Sequence, residues 1–172
     1  MKQPPLACLL GLCIAFSGCG YHTAGHVTTL PEDVRTIAIP AFVNNTQSYR
    51  VEQLLTAAVV HEFTTRTRYR IVNDASDPAD ATLRGTVTGM YVVPTAVTPS
   101  GTSTIVQIGV SMGVTVTNRQ GKILYQNPSF VFRQQYQISR DLAQFFQEDT
   151  PALQRLSRQF AETLVSNILE GF

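Results

Sequence analysis

Cysteine is scarce and confined to one end of the chain. Cys8, Cys13 and Cys19 are the only three, and all lie in the first nineteen residues. No residue beyond Cys19 can therefore join a disulfide framework, a zinc-thiolate site or a thiol nucleophile. An excess of one charge is missing too. Thirteen Lys and Arg face 12 Asp and Glu, a formal net charge of +1, which argues against a broad basic face for nucleic acid, and no basic-aromatic interleaving marks a strand-binding platform. The apolar run from Leu6 to Phe16 has eleven residues, short of the ~20 that a helix needs to cross a bilayer core.

Catalytic signatures are weak. Gly109-Val110-Ser111-Met112-Gly113 spells G-x-S-x-G, but inside a strictly alternating stretch and not at a strand-to-helix turn, and there is no phosphate-cradling glycine loop. His61-Glu62 opens like a zinc-protease helix motif, but Thr65 stands where the second histidine is needed. His22 and His26 are four apart in a glycine-containing segment that suits a metal poorly. Asp74, Asp77 and Asp80 lack the later glutamate of a calcium loop and read as a surface turn. The sequence predicts no enzyme: no catalytic residue, no metal and no dissociable cofactor.

What is present begins at the N-terminus. Lys2, the apolar run and then Ser17-Gly18-Cys19 have the layout of a secretory signal peptide over residues 1–18. FSGC resembles the lipobox cut by the lipoprotein signal peptidase, with Phe16 in place of the usual Leu, Ala or Val. The resemblance implies acylation of Cys19, a palmitate-type lipid anchor being the only prosthetic addition expected. Several chains at ~0.8 kcal/mol per buried CH₂ would hold the protein stably on a membrane. Removing residues 1–18 takes away Lys2 and no acid, leaving 12 basic against 12 acidic residues.

The remaining ~150 residues suit one domain. Residues 19–32 lack periodicity and read as a lipidated tether, and 33–172 as the domain. Val34 to Pro40 predicts a strand. Asn44, Asn45, Thr46 and Ser48 are capping candidates before a helix whose stripe is Val51, Leu54, Leu55, Ala58, Val59 and Phe63. Tyr69 to Val72 predicts a short strand. From Ala81 the odd positions Ala81, Leu83, Val87, Tyr91 and Val93 alternate with polar residues. Pro94 to Thr104 reads as a loop. Val106 to Val116 alternates strictly, with every even position apolar, and Asn118 to Gly121 turns the chain into Lys122–Gln126, which resumes from Phe130 to Phe132. Thr150-Pro151 opens a last helix with Leu153, Leu156, Phe160, Leu164, Val165, Ile168 and Leu169 as its stripe, ending near Gly171. Phe63, Phe160 and the strand aromatics fall on these apolar faces. Phe145-Phe146 stands apart, as a core cap or a partner contact. The predicted fold class is α+β, a two-layer sandwich of two helices packed on one face of a mostly antiparallel four- to five-stranded sheet.

Cys19-Gly20-Tyr21-His22, Leu30-Pro31 and VRTIAIPAFVNNT at 34–46 resemble the opening of the LptE family of lipopolysaccharide-assembly lipoproteins. The likeness continues through the first helix, ADATLRGTVTGM, the alternating strand, NRQGKILYQNP and the last helix. The resemblance implies a non-enzymatic outer-membrane lipoprotein, on the periplasmic face or in a barrel lumen. It would plug the β-barrel LptD, support its assembly and assist lipopolysaccharide delivery to the outer leaflet. Gly20, in place of an aspartate that would favour inner-membrane retention, fits that destination. Arg119 and Lys122 at the hairpin tip, with Arg84 and Arg133 in the sheet, are candidates for lipopolysaccharide phosphates; a solvated role as edge-protecting charges is the plainer reading. A regulator of a peptidoglycan synthase, similar to LpoB, is the alternative. A tether of about 13 residues, roughly 45 Å extended, favours a partner in the anchoring membrane instead.

Overall fold

The computed structural model describes residues 30–74, 78–97, 104–138 and 151–171. The signal segment, Cys19, His22, His26, Asp77, Phe145-Phe146 and Thr150 lie outside the described residues. The elements in chain order are β1 (Thr36–Ala38), β2 (Val43–Asn44), α1 (Val51–Arg66), β3 (Arg70–Val72), β4 (Ala81–Val97), β5 (Thr104–Asn118), β6 (Ile123–Ile138) and α2 (Pro151–Glu170).

They form an α+β fold on a six-stranded mixed sheet of order β3-β1-β4-β5-β6, with β2 also paired to β4. The expectation of a mostly antiparallel sheet of four to five strands is corrected here. β1 lies parallel to both β3 and β4, and β2 parallel to β4. For β1 and β3 the cause is α1: a helix between two strands of one sheet carries the chain back to its starting end, so the second strand runs parallel to the first. Only β4, β5 and β6, joined by short returns, form an antiparallel meander.

Three local expectations also change. The polar residues before α1 do not cap it. The cap position is Arg50, in the left-handed region at φ 56, with no side-chain cap. Asn44 instead folds the loop on itself, accepting from the Thr46 amide at 2.9 Å and donating to the Ser48 carbonyl and to Glu52 Oε2. Pro94 to Val97 is strand, not loop. β2 reaches only as far as Val87 on that side of β4, so Pro94 faces an open edge where its missing N–H removes no ladder bond. β6 runs unbroken through Pro128, with a register shift opposite Met112 and Val114 absorbing the proline.

One core joins the helices and one face of the sheet. α1 buries Val51, Leu55, Val59 and Phe63; α2 buries Leu156, Phe160, Leu164, Val165 and Ile168. Phe160 meets Phe130 and Phe132 edge-on, with ring centroids 5.6 and 6.0 Å apart. Tyr136 donates to Gln159 Oε1 at 2.7 Å, fastening β6 to α2. Arg66 ties the two helix C-termini together, donating to Ser166 Oγ at 2.6 Å and lying 3.7 Å from both Glu62 and Glu170. Leu30 is buried in this core, so packing reaches back into the segment read as tether.

Candidate functional site

The opposite sheet face is mostly polar. On β5 the alternation read from the sequence holds throughout: Val106, Ile108, Val110, Met112, Val114 and Val116 are buried, and Gln107, Ser111, Gly113, Thr115 and Thr117 lie on the other side. On β4 it does not hold. A bulge between Val87 and Gly89 inserts one residue, and since strand side chains alternate with period two, every later side chain changes face. Met90 and Val92 pack against the core, while Tyr91 and Val93, expected on the buried face, are 37% and 42% exposed.

That inversion places Tyr91 opposite Gly109, which in turn stands opposite Arg133. The Tyr91 ring lies where a Cβ on residue 109 would sit, so any side chain there would have to push the partly exposed ring aside. The Tyr91 hydroxyl accepts a hydrogen bond from Arg133 Nε at 3.1 Å. Arg133 is thus fixed on the open face rather than loose in solvent.

The other three candidate cations gather at one end of the sheet. Arg84 and Arg119 line the same open cleft of about 500 Å³, together with Thr82, Thr117 and Asn118. Arg119 is anchored there by Nε donating to the Ala79 carbonyl at 2.7 Å and by Asp80 Oδ1 at 3.1 Å from Nη2. Lys122 is exposed on the adjoining turn, whose shape comes from Asn118 Oδ1 accepting the Gln120 and Lys122 amides and from Gly121 at φ 78. Arg133 does not join them. Its row on β5 is six residues from that of Arg84, roughly 20 Å along the strand.

Asp80, read from the sequence as part of a surface turn, organises this end. Its Oδ2 accepts the Arg35 and Thr36 amides at 2.9 and 2.8 Å. Those two bonds, aided by the Arg119 and Arg35 charges, hold its carboxyl below the usual aspartate range. Nothing in the local sequence marks Asp80, because its partners come from β1 and the β5–β6 turn.

Residues 34–168 match the family model described as LptE, lipopolysaccharide-assembly. A comparison with curated proteins found no match. Among solved structures, the protein XCC0632 of Xanthomonas campestris is similar with a TM-score of 0.54 at 12% identity, covering 83% of this chain and 90% of that one. The protein CT253 of Chlamydia trachomatis is similar with a TM-score of 0.52 at 11% identity, covering 78% and 98%. At such identities the likeness is one of fold.

Proposed function

The chain belongs to the LptE family of lipopolysaccharide-assembly proteins, and on that premise we propose that it is a non-enzymatic lipoprotein that plugs and supports assembly of the LptD β-barrel. In this reading Cys19 carries the acyl chains, the domain sits at the outer membrane, and the protein assists lipopolysaccharide delivery to the outer leaflet. The supporting observation is the open face of β4, β5 and β6, mostly Thr, Ser, Gly and Gln over long strands, with Tyr91, Val93 and Val131 as exposed apolar groups. A wet barrel lumen is lined by polar side chains. A sheet whose open face is mostly small and polar, with Arg84 and Arg133 as its charges, suits such a wet lumen.

Arg84, Arg119 and Lys122 are the cations offered to lipopolysaccharide phosphates, as guanidinium and ammonium groups both pair with phosphate oxygens, Arg119 through the N–H groups that Ala79 and Asp80 leave over. Arg133, apart from them and braced by Tyr91, is a second point of contact. Depleting the protein tests the assembly role. LptD should then fail to reach the compact, heat-modifiable form of a folded barrel on semi-native gels. Normal LptD folding in depleted cells would contradict the reading, and recovery of a peptidoglycan synthase with the protein would favour a regulator instead.

A further inference from the structure

The chain comes into the domain at the same end of the sheet where its unpaired cations stand. Leu30 is the first described residue, and Arg35 immediately precedes β1. The register then fixes the neighbours: Thr36 pairs with Arg70 on β3, Ile37 with Ala81 on β4, and Ala81 with Asn118 beside the hairpin turn. Arg68 and Arg70, Arg35, Arg119 and Lys122 therefore succeed one another across the end of the sheet. From β3 to β6 the row is about 19 Å wide at ~4.8 Å per strand.

The acids at this end, Asp80, Glu32 and Asp33, compensate only part of that row of five cations. Asp80 already holds two backbone amides and Arg119, and Glu62 and Glu170 are held by Arg66. Glu32 and Asp33 are exposed on the incoming segment. Among the described residues, Arg68, Arg70 and Lys122 have no carboxylate partner, while Arg35 shares the charge of Asp80 with Arg119. Arg35, Arg68, Arg70 and Lys122 are all exposed. Beside Lys122, Ile123 presents an apolar side chain that is 51% exposed, the pairing of cation and apolar group that suits a headgroup boundary.

We propose that this end of the domain docks on the anionic phospholipid headgroups of the leaflet that holds the acylated Cys19. The inference rests on the lipoprotein reading above. Eleven positions separate Cys19 from Leu30, at most about 40 Å of chain, so an anchor at Cys19 keeps this end nearest the lipid. Charge complementarity selects the occupant: a leaflet of negative surface potential attracts a basic cluster, and salt screens the attraction.

The test uses the chain from Cys19 to Phe172 with Cys19→Ser, so that no acyl chain contributes. Its binding is measured on vesicles of phosphatidylcholine, of phosphatidylcholine with phosphatidylglycerol, and of phosphatidylcholine with lipopolysaccharide. The expected result is salt-sensitive binding to phosphatidylglycerol vesicles and none to neutral ones. Affinity should fall about fivefold for each cation replaced in Arg68→Gln, Arg70→Gln and Lys122→Gln. Equal binding to neutral vesicles, no binding to phosphatidylglycerol, or binding to lipopolysaccharide alone would overturn it. The salt series on the Cys19→Ser chain decides the matter even if the charge variants fail to fold. Mass analysis of the N-terminal peptide from membranes reports acylation separately, so failure of the anchor and failure of the surface are told apart.

Discussion

Arg119 reaches back from the β5–β6 turn to Asp80, 3.1 Å away, and so closes one end of the sheet. Asp80 carries the larger share of that closure, because it also receives the Arg35 and Thr36 amides. Asp80→Asn should lower unfolding stability by about 1–2 kcal/mol, since a carboxylate accepting backbone N–H groups is worth more than a neutral amide there. Arg119→Ala should cost less, about 0–1 kcal/mol, as expected for removing an exposed ion-pair partner. Urea denaturation of both variants checks the order, and an equal or reversed cost would contradict it.

The same carboxyl sets a pH dependence. Its folded-state pKa is lowered by the Arg35 and Thr36 amides, so its contribution is fully present above the ordinary aspartate value. It is lost as pH falls through the lower folded value. Stability of the wild type relative to Asp80→Asn should shrink with acidification below about pH 5 and vanish once both states bind the proton. A difference independent of pH from neutrality to strong acid would show that the carboxylate is not responsible.

At Gly109 an added Cβ would meet the far end of the partly exposed Tyr91 ring. Gly109→Ala should therefore displace the ring and lose its Arg133 hydrogen bond, at about 0.5–1.5 kcal/mol. Adding Tyr91→Ala should recover part of that loss, a coupling that a double-mutant cycle reads directly. Additive effects of the two changes would mean that the ring does not rest on residue 109.

Phe160 joins α2 to β6 through two edge-on aromatic contacts and is fully buried. Phe160→Ala should cost about 3–5 kcal/mol, with the midpoint of thermal unfolding as readout. A loss under 1 kcal/mol would place α2 outside the cooperative core.

Much of this was legible wherever a local pattern carried the information. The stripes of both helices and the strict alternation of Val106 to Val116 name the core residues directly, because periods of 3.6 and 2 report the buried face of each element. Parallel pairing of β1 with β3 was not legible, since it follows from where α1 returns the chain. Nor was the exposure of Tyr91: a bulge at Thr88 leaves no trace in composition but reverses every side chain after it. The candidate cations were identifiable by type, yet their grouping depends on the register that brings Arg84 and Arg119 to one cleft and leaves Arg133 far along the strand. Asp80 and the row of Arg35, Arg68 and Arg70 were missed for the same reason. Residues on different strands become neighbours only through the sheet.

The most direct test of the central claim is recovery of the acylated protein from gently solubilised outer membranes, carrying photo-crosslinking residues at Ser111 and Thr115 on the open sheet face. The expected result is LptD in stoichiometric amount, cross-linked from both positions through its barrel. Recovery without a β-barrel partner, or with no cross-link to one from that face, would contradict the plug.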